Sequence, residues 1–100
     1  MPIIMNQEEL DDFIEKYKIE KEGINWIKNN LEKYFPDKDY AISIFHATEE
    51  GEDDILSLII CGPFEPIDVF KTQMYNFFDT IRIEFPNLYN FLSAYRRSNL

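Results

Sequence analysis

The stretch "YAISIFHATEEGEDDILSLIIC", residues 40–61, decides the fold of this chain. Its two ends are rich in β-branched and aromatic residues, which predicts strands over residues 40–48 and 55–61. Between them lies the acidic loop, residues 49–54, with five carboxylates around Gly51. A loop this short joins two neighbouring strands most simply as an antiparallel hairpin. We therefore expect a hairpin with a charged tip.

The pairing of the two strands determines which side chains share a face. A register symmetric about the acidic loop pairs residues whose numbers sum to 103. One face then carries Tyr40, Ile42, Ile44, His46, Ile55, Ser57, Ile59 and Cys61, and the other carries Ala41, Ser43, Phe45, Ala47, Leu56, Leu58 and Ile60. Both faces are mostly apolar, and a two-stranded hairpin of this kind needs cover on both.

The segment before the hairpin is predicted to be helical. Asn6 followed by Glu9 fits an N-cap with its reciprocal acid. Apolar residues then recur at helical spacing over residues 10–17 and again over 24–35. We expect an N-terminal helix or helix pair, and we favour two helices that meet near residues 18–23.

The segment after the hairpin is also predicted to be helical. Pro66 suits the first turn of a helix, and apolar residues keep helical spacing over residues 67–85. Pro86 ends that helix, and the apolar residues of 88–95 predict a short last one. The predicted fold is α+β: a small single domain over residues 1–100 with an N-terminal helix or helix pair, an antiparallel β-hairpin and two C-terminal helices.

The charge of the chain bears on its partners. The net charge is −9, and residues 40–66 hold six acids and no base. Nucleic-acid backbones and anionic membranes are bound by clusters of Lys and Arg, whereas this chain offers only the pair Arg96-Arg97. The composition therefore predicts no direct nucleic-acid or membrane binding, and it favours a basic protein as an external partner.

Two further features predict a cytoplasmic protein. Cys61 is the single cysteine, so no intramolecular disulfide can form, which fits a reducing compartment. The opening segment "MPIIMNQEELDD" has no basic region and does not resemble a signal peptide, and the apolar runs are too short to span a membrane.

The sequence predicts no catalytic, cofactor-binding or metal-binding residues. The acidic loop lacks the ligand spacing of a calcium loop, and phosphate-binding and common hydrolase motifs are absent. In the predicted register His46 and Cys61 are offset by four residues, about 13 Å, which is too far for a nucleophile and its base. We therefore expect no enzyme; a hydrolase using the scattered carboxylates would need two buried acids in one pocket.

The acidic loop is the first candidate interaction site. Its acids are Glu49, Glu50, Glu52, Asp53 and Asp54. The simpler interpretation is a solvated turn that also protects the hairpin from edge-to-edge aggregation. The alternative is that these charges bind a basic partner.

A second set of candidates consists of apolar residues that fall off the predicted core stripes, namely Ile19, Trp26, Tyr75 and Tyr89. Trp26 lies on the far side of its helix from the main stripe, and Ile19 shares that side if the helix is continuous. An exposed Trp beside an Ile indicates a protein interface. The alternative for Trp26 is packing under the last helix of its own chain.

The predicted function is a small acidic, non-enzymatic protein-interaction or regulatory domain that forms a homodimer. A second copy would cover one apolar hairpin face and hide the free strand edges. The alternative is an acidic inhibitor of a basic protein, of the immunity, antitoxin or nucleic-acid-mimic type, acting through residues 49–54.

Overall fold

The computed structural model describes residues 2–63 and 65–98. Its elements in chain order are β1 (Ile3–Ile4), α1 (Gln7–Tyr17), α2 (Lys21–Tyr34), β2 (Asp39–Phe45), β3 (Ile55–Cys61), α3 (Ile67–Glu84), α4 (Pro86–Asn90) and β4 (Leu92–Arg97). The N-terminal region forms two helices, because Lys18 adopts a left-handed conformation that ends α1 before α2 begins. The result is a small α+β domain.

The four strands form one mixed sheet in the order β1-β2-β3-β4. β2 and β3 pair antiparallel, whereas β1 pairs with β2, and β3 with β4, in parallel. The predicted fold, a two-stranded hairpin followed by two C-terminal helices, is therefore wrong, because two of the three pairings are parallel and a strand follows α4. The sequence predicts a last helix over residues 88–95, but residues 92–97 form β4, which supplies partners for the backbone groups along the edge of β3.

The register of β2 and β3 also differs from the predicted one. Directly opposed residues have numbers that sum to 100, as in Ile42 with Leu58 and Ser43 with Ser57. The shift of three residues is odd, so it moves every side chain of β3 to the opposite face. The observed register is favoured because the large side chains of both strands then share one buried face: Tyr40, Ile42, Ile44, Leu56, Leu58 and Ile60.

All four helices pack on that buried face of the sheet. The main core joins the six strand residues to Phe13 of α1, Ile27 of α2, Phe77 of α3 and Leu88 of α4, among others. Burying a side chain of this size stabilises the folded state by about 1.5–3 kcal/mol. The helices therefore give the sheet its cover on one face.

A close contact and a carboxylate cap fix α4 against the start of α2. A Cβ atom placed on Gly23 would lie 2.8 Å from Leu88 Cδ2. The Glu20 carboxylate accepts hydrogen bonds from the backbone N–H groups of Asn87 (3.2 Å) and Leu88 (2.9 Å). The first N–H groups of a helix have no hydrogen-bond acceptor within the helix, and the Glu20 carboxylate is the acceptor for these two N–H groups of α4. This junction sets the path of the chain into β4.

Candidate functional site

In residues 2–63 and 65–98, no helix contributes a buried residue to the second face of the sheet. The buried cluster on that face contains only the strand residues Ala41, Ile59 and Cys61. From the pairing register, the strand residues of this face are Ile3, Asp39, Ala41, Ser43, Phe45, Ile55, Ser57, Ile59, Cys61, Ser93, Tyr95 and Arg97. This set is the open sheet face.

Large apolar side chains are exposed on the open sheet face. Phe45 is 63% exposed, Ile3 54%, Tyr95 43% and Ile55 38%. Single exposed apolar residues are ordinary on protein surfaces, whereas a group of them on one face is typical of a contact surface. The open sheet face is therefore the candidate interaction site.

The side chains of the open sheet face form rows across the strands, with a different size in each row. From the acidic loop outward the rows are Phe45 and Ile55; Ser43, Ser57 and Ser93; Ile3, Ala41, Ile59 and Tyr95; and Asp39, Cys61 and Arg97. A bulky row thus lies next to the loop, followed by a row of three serines. Among these strand residues Arg97 is the one cation, and it lies at the end far from the loop.

The acidic loop is anchored by its last residue, Asp54. The Asp54 carboxylate accepts a hydrogen bond from the Ala47 N–H (3.0 Å), and the Asp54 N–H donates one to the Tyr17 hydroxyl (2.9 Å). Lys16 Nζ lies 3.5 Å from the same carboxylate. Asp54 therefore holds the loop to α1. The other four acids of the loop, Glu49, Glu50, Glu52 and Asp53, are exposed.

His46 makes a second link between the loop region and α1. Its Nε2 atom lies 3.1 Å from Glu9 Oε1, and its Nδ1 atom lies 3.7 Å from Asp54 Oδ2. The hydrogen bond to Glu9 raises the pKa of His46, and the hydrogen bond from the Ala47 N–H lowers the pKa of Asp54. These groups line a shallow cleft of about 120 Å³. Because the His46 side chain is 57% exposed, the arrangement positions the loop and does not enclose a reacting group.

His46 and Cys61 lie at opposite ends of the central strand pair. Cys61 opposes Asp39 at the end far from the loop and is a buried free thiol, and burial raises its pKa. The two residues therefore do not form a nucleophile and its base. Within the described ranges, no group of three or more His, Cys, Asp or Glu side chains is placed to hold a metal ion.

The residues predicted to form an interface do not lie together. Ile19 is 5% exposed and belongs to the main core, because the chain turns into α2 directly after α1. Trp26 is half-buried, with its ring centroid 5.3 Å from that of Phe77, so it packs against α3. Tyr75 and Tyr89 are exposed, and they lie on α3 and α4 in the helical layer.

The sequence interpretation did not identify the open sheet face as a unit. The incorrect register divided its members, because it grouped Phe45 with Leu56, Leu58 and Ile60. A signal was nevertheless present in the sequence. Small or polar residues alternate with large ones in both central strands, at Ala41 and Ser43 in β2 and at Ser57 in β3. Matching these positions across the strands yields the observed register.

No protein-family model, curated protein or solved structure matches this chain. The described helices also include none that is long and apolar enough to cross a membrane.

Proposed function

We propose that this chain is a small, non-enzymatic protein-interaction domain that forms a homodimer through the open sheet face. The supporting observation is the set of exposed apolar residues, Phe45, Ile55, Tyr95 and Ile3, on a face to which no described helix contributes a buried residue. A second copy presents the same apolar surface, so a two-fold dimer covers both faces at once. A cytoplasmic setting is part of the proposal, because Cys61 is a free thiol.

The size of the face sets the expected strength of the dimer. Strands lie about 4.8 Å apart and rise about 3.3 Å per residue, and the four strands have 2, 7, 7 and 6 residues, 22 in all. The projected area is then about 350 Å² per copy, or roughly 700 Å² for the pair. Stable interfaces bury about 1,200–2,000 Å². We therefore expect a dimer of modest affinity that depends on concentration.

The test is the solution mass over a range of protein concentration. Sedimentation equilibrium from about 1 µM to about 1 mM covers dissociation constants typical of small interfaces. We expect the mass to rise from the 12.0 kDa of one chain to twice that value. Replacing both Phe45 and Ile55 by serine should keep the protein monomeric throughout, because it removes the bulky row of the open sheet face.

The matched control is Tyr75→Ser, which removes an aromatic residue that is 71% exposed on α3. This variant should dimerise like the wild type. A wild type that stays monomeric at the highest concentration would contradict the proposal. So would a dimer that survives the Phe45 and Ile55 substitutions and is lost on changing Tyr75.

The second candidate function is an acidic inhibitor of a basic protein, acting through the acidic loop. The observation that favours it is the exposure of Glu49, Glu50, Glu52 and Asp53, none of which has an ion pair within the described residues. Four free carboxylates attract a basic surface and accelerate its association.

A simple cationic probe tests this second function. Binding of an oligolysine peptide should be measured by calorimetry at low and high salt, with the four exposed acids intact and with all four replaced by Gln or Asn. The second function predicts salt-sensitive binding that the replacements abolish. Equal binding by both proteins would exclude the loop as the site, whatever the outcome for the dimer.

A further inference from the structure

A two-fold dimer through the open sheet face has two limiting orientations, which differ in where the acidic loops lie. If the symmetry axis runs along the strands, the two acidic loops lie at the same end of the dimer. If the axis runs across the strands, the loop of each copy lies over the far end of the other, near Asp39, Cys61 and Arg97. The two arrangements bury the same surface but bring different side chains together.

Charge favours the axis across the strands. Each loop carries four exposed acids, Glu49, Glu50, Glu52 and Asp53, so the first orientation brings two such sets together at one end. Like charges placed opposite each other across an interface weaken it. In the second orientation each loop approaches a row of the other copy that holds one base, Arg97, and one acid, Asp39, so it meets zero net charge and not a second set of acids.

Shape favours the same orientation. An axis across the middle of the strands places the serine row, Ser43, Ser57 and Ser93, over the partner's third row, which includes Ile59 and Tyr95. It also places Phe45 and Ile55 over the row of Asp39, Cys61 and Arg97, in which Cys61 is small and buried. An axis along the strands would instead set serines over serines, which leaves a gap between the sheets and loses contacts there.

We propose that the second copy docks with its strands antiparallel to the first, so that the acidic loop of each copy contacts Arg97 of the other. This orientation rests on the homodimer proposed above. It gives the acidic loop a definite role, since the two loop contacts extend an interface that is small by area alone. It also makes the dimer sensitive to salt, because the added contacts are ionic and lie at the rim.

Charge exchange between the two ends tests the orientation. The variants are Arg97→Glu, the loop pair Glu50→Lys with Glu52→Lys, and the protein that combines all three changes. The matched control for the loop pair, Glu22→Lys with Glu84→Lys, makes the same change in net charge on exposed positions of the helical layer. Sedimentation at low and at physiological salt gives the dissociation constant of each.

We expect Arg97→Glu and the loop pair each to weaken the dimer about tenfold at low salt, because the two-fold axis doubles every ionic contact. The combined protein should regain most of that loss, since the reversed charges attract again. The control should change the constant by less than about threefold. Added salt should weaken the wild-type dimer.

Three results would overturn the orientation. The first is a dimer tightened by the loop pair, as expected if the two loops repel each other. The second is a combined protein that dimerises no more tightly than Arg97→Glu, and the third is a dissociation constant equal to that of the control in all three variants. In each case a dimer that is still broken by the Phe45 and Ile55 substitutions leaves the proposed function intact. A wild type that never dimerises removes both proposals.

Discussion

A cross-link between β2 and β3 tests the register from which the open sheet face is derived. Ser43 and Ser57 are directly opposed, so their Cα atoms lie about 4.5–5.5 Å apart, within the range that a disulfide spans. We expect the double variant Ser43→Cys, Ser57→Cys to oxidise readily in air. Thiol titration of the unfolded protein should then find one remaining thiol, that of Cys61.

The expected gain in stability follows from the length of the closed loop. A disulfide between positions 43 and 57 closes a loop of 15 residues, which reduces the entropy of the unfolded chain by the equivalent of about 3 kcal/mol. In a chain of this size 1 kcal/mol corresponds to about 4–8 °C in Tm, so the full entropic effect would raise Tm by about 12–24 °C. Guanidinium unfolding with and without a reductant measures the difference directly.

The control pair follows the register inferred from sequence, in which positions 46 and 57 are opposed. In the structure the residue opposite Ser57 is Ser43, so His46 is displaced by three residues, about 10 Å along the strand. The variant His46→Cys, Ser57→Cys should therefore stay reduced under the same conditions. If this pair cross-linked while the 43–57 pair did not, the register and the open sheet face derived from it would both be refuted.

Three further predictions concern the helices and the loop anchor. Gly23→Ala should destabilise the protein by up to about 2 kcal/mol in chemical unfolding, because the added Cβ would lie 2.8 Å from Leu88 Cδ2, 2.9 Å from Phe85 Cγ and 3.1 Å from Phe85 Cβ. This crowding outweighs the roughly 1 kcal/mol gain in helix propensity, and a stabilised variant would contradict it. Glu20→Gln should lower the free energy of unfolding by about 0.5–2 kcal/mol in the same assay, because a neutral amide caps the Leu88 N–H less well than a carboxylate. An unchanged free energy of unfolding would argue against the cap. An NMR titration should find the pKa of His46 above its ordinary value, and Glu9→Gln should lower that pKa. The stabilisation from this pair should be present below the ordinary pKa of histidine and should fade as the pH rises through the raised pKa. An unchanged titration in the variant would exclude the pairing.

The parts of the fold that could be predicted are those with a strong local signal. The central strands and the long apolar stripe of α3 are each specified by their own residues. β1 has two residues, too few for any periodicity, and it forms only because β2 offers a parallel partner. β4 overlaps a segment whose apolar residues also fit helical spacing, so local pattern alone could not separate the two.

The register could not be read from the periodicity of either strand alone, because each parity leaves a mostly apolar face. The connection between the strands runs from His46 to Asp54, so the observed hairpin is symmetric about residue 50, with paired numbers that sum to 100 and not to 103. Asp54 closes this connection by accepting a hydrogen bond from the Ala47 N–H. The register was nevertheless open to inference from packing, because only one parity places Leu56, Leu58 and Ile60 beside Tyr40, Ile42 and Ile44.

The placement of all helices on one face of the sheet determines the hands of the two parallel crossovers. β1 to β2 and β3 to β4 are both parallel crossovers, and both step in the same direction across the sheet although their strands point in opposite directions. Two right-handed crossovers of this arrangement would put their helices on opposite faces. With all helices on one face, the crossovers have opposite hands, and one has the rare left hand. The chain therefore forms a single large core on one side of its sheet, and we infer that covering the other side falls to a second molecule.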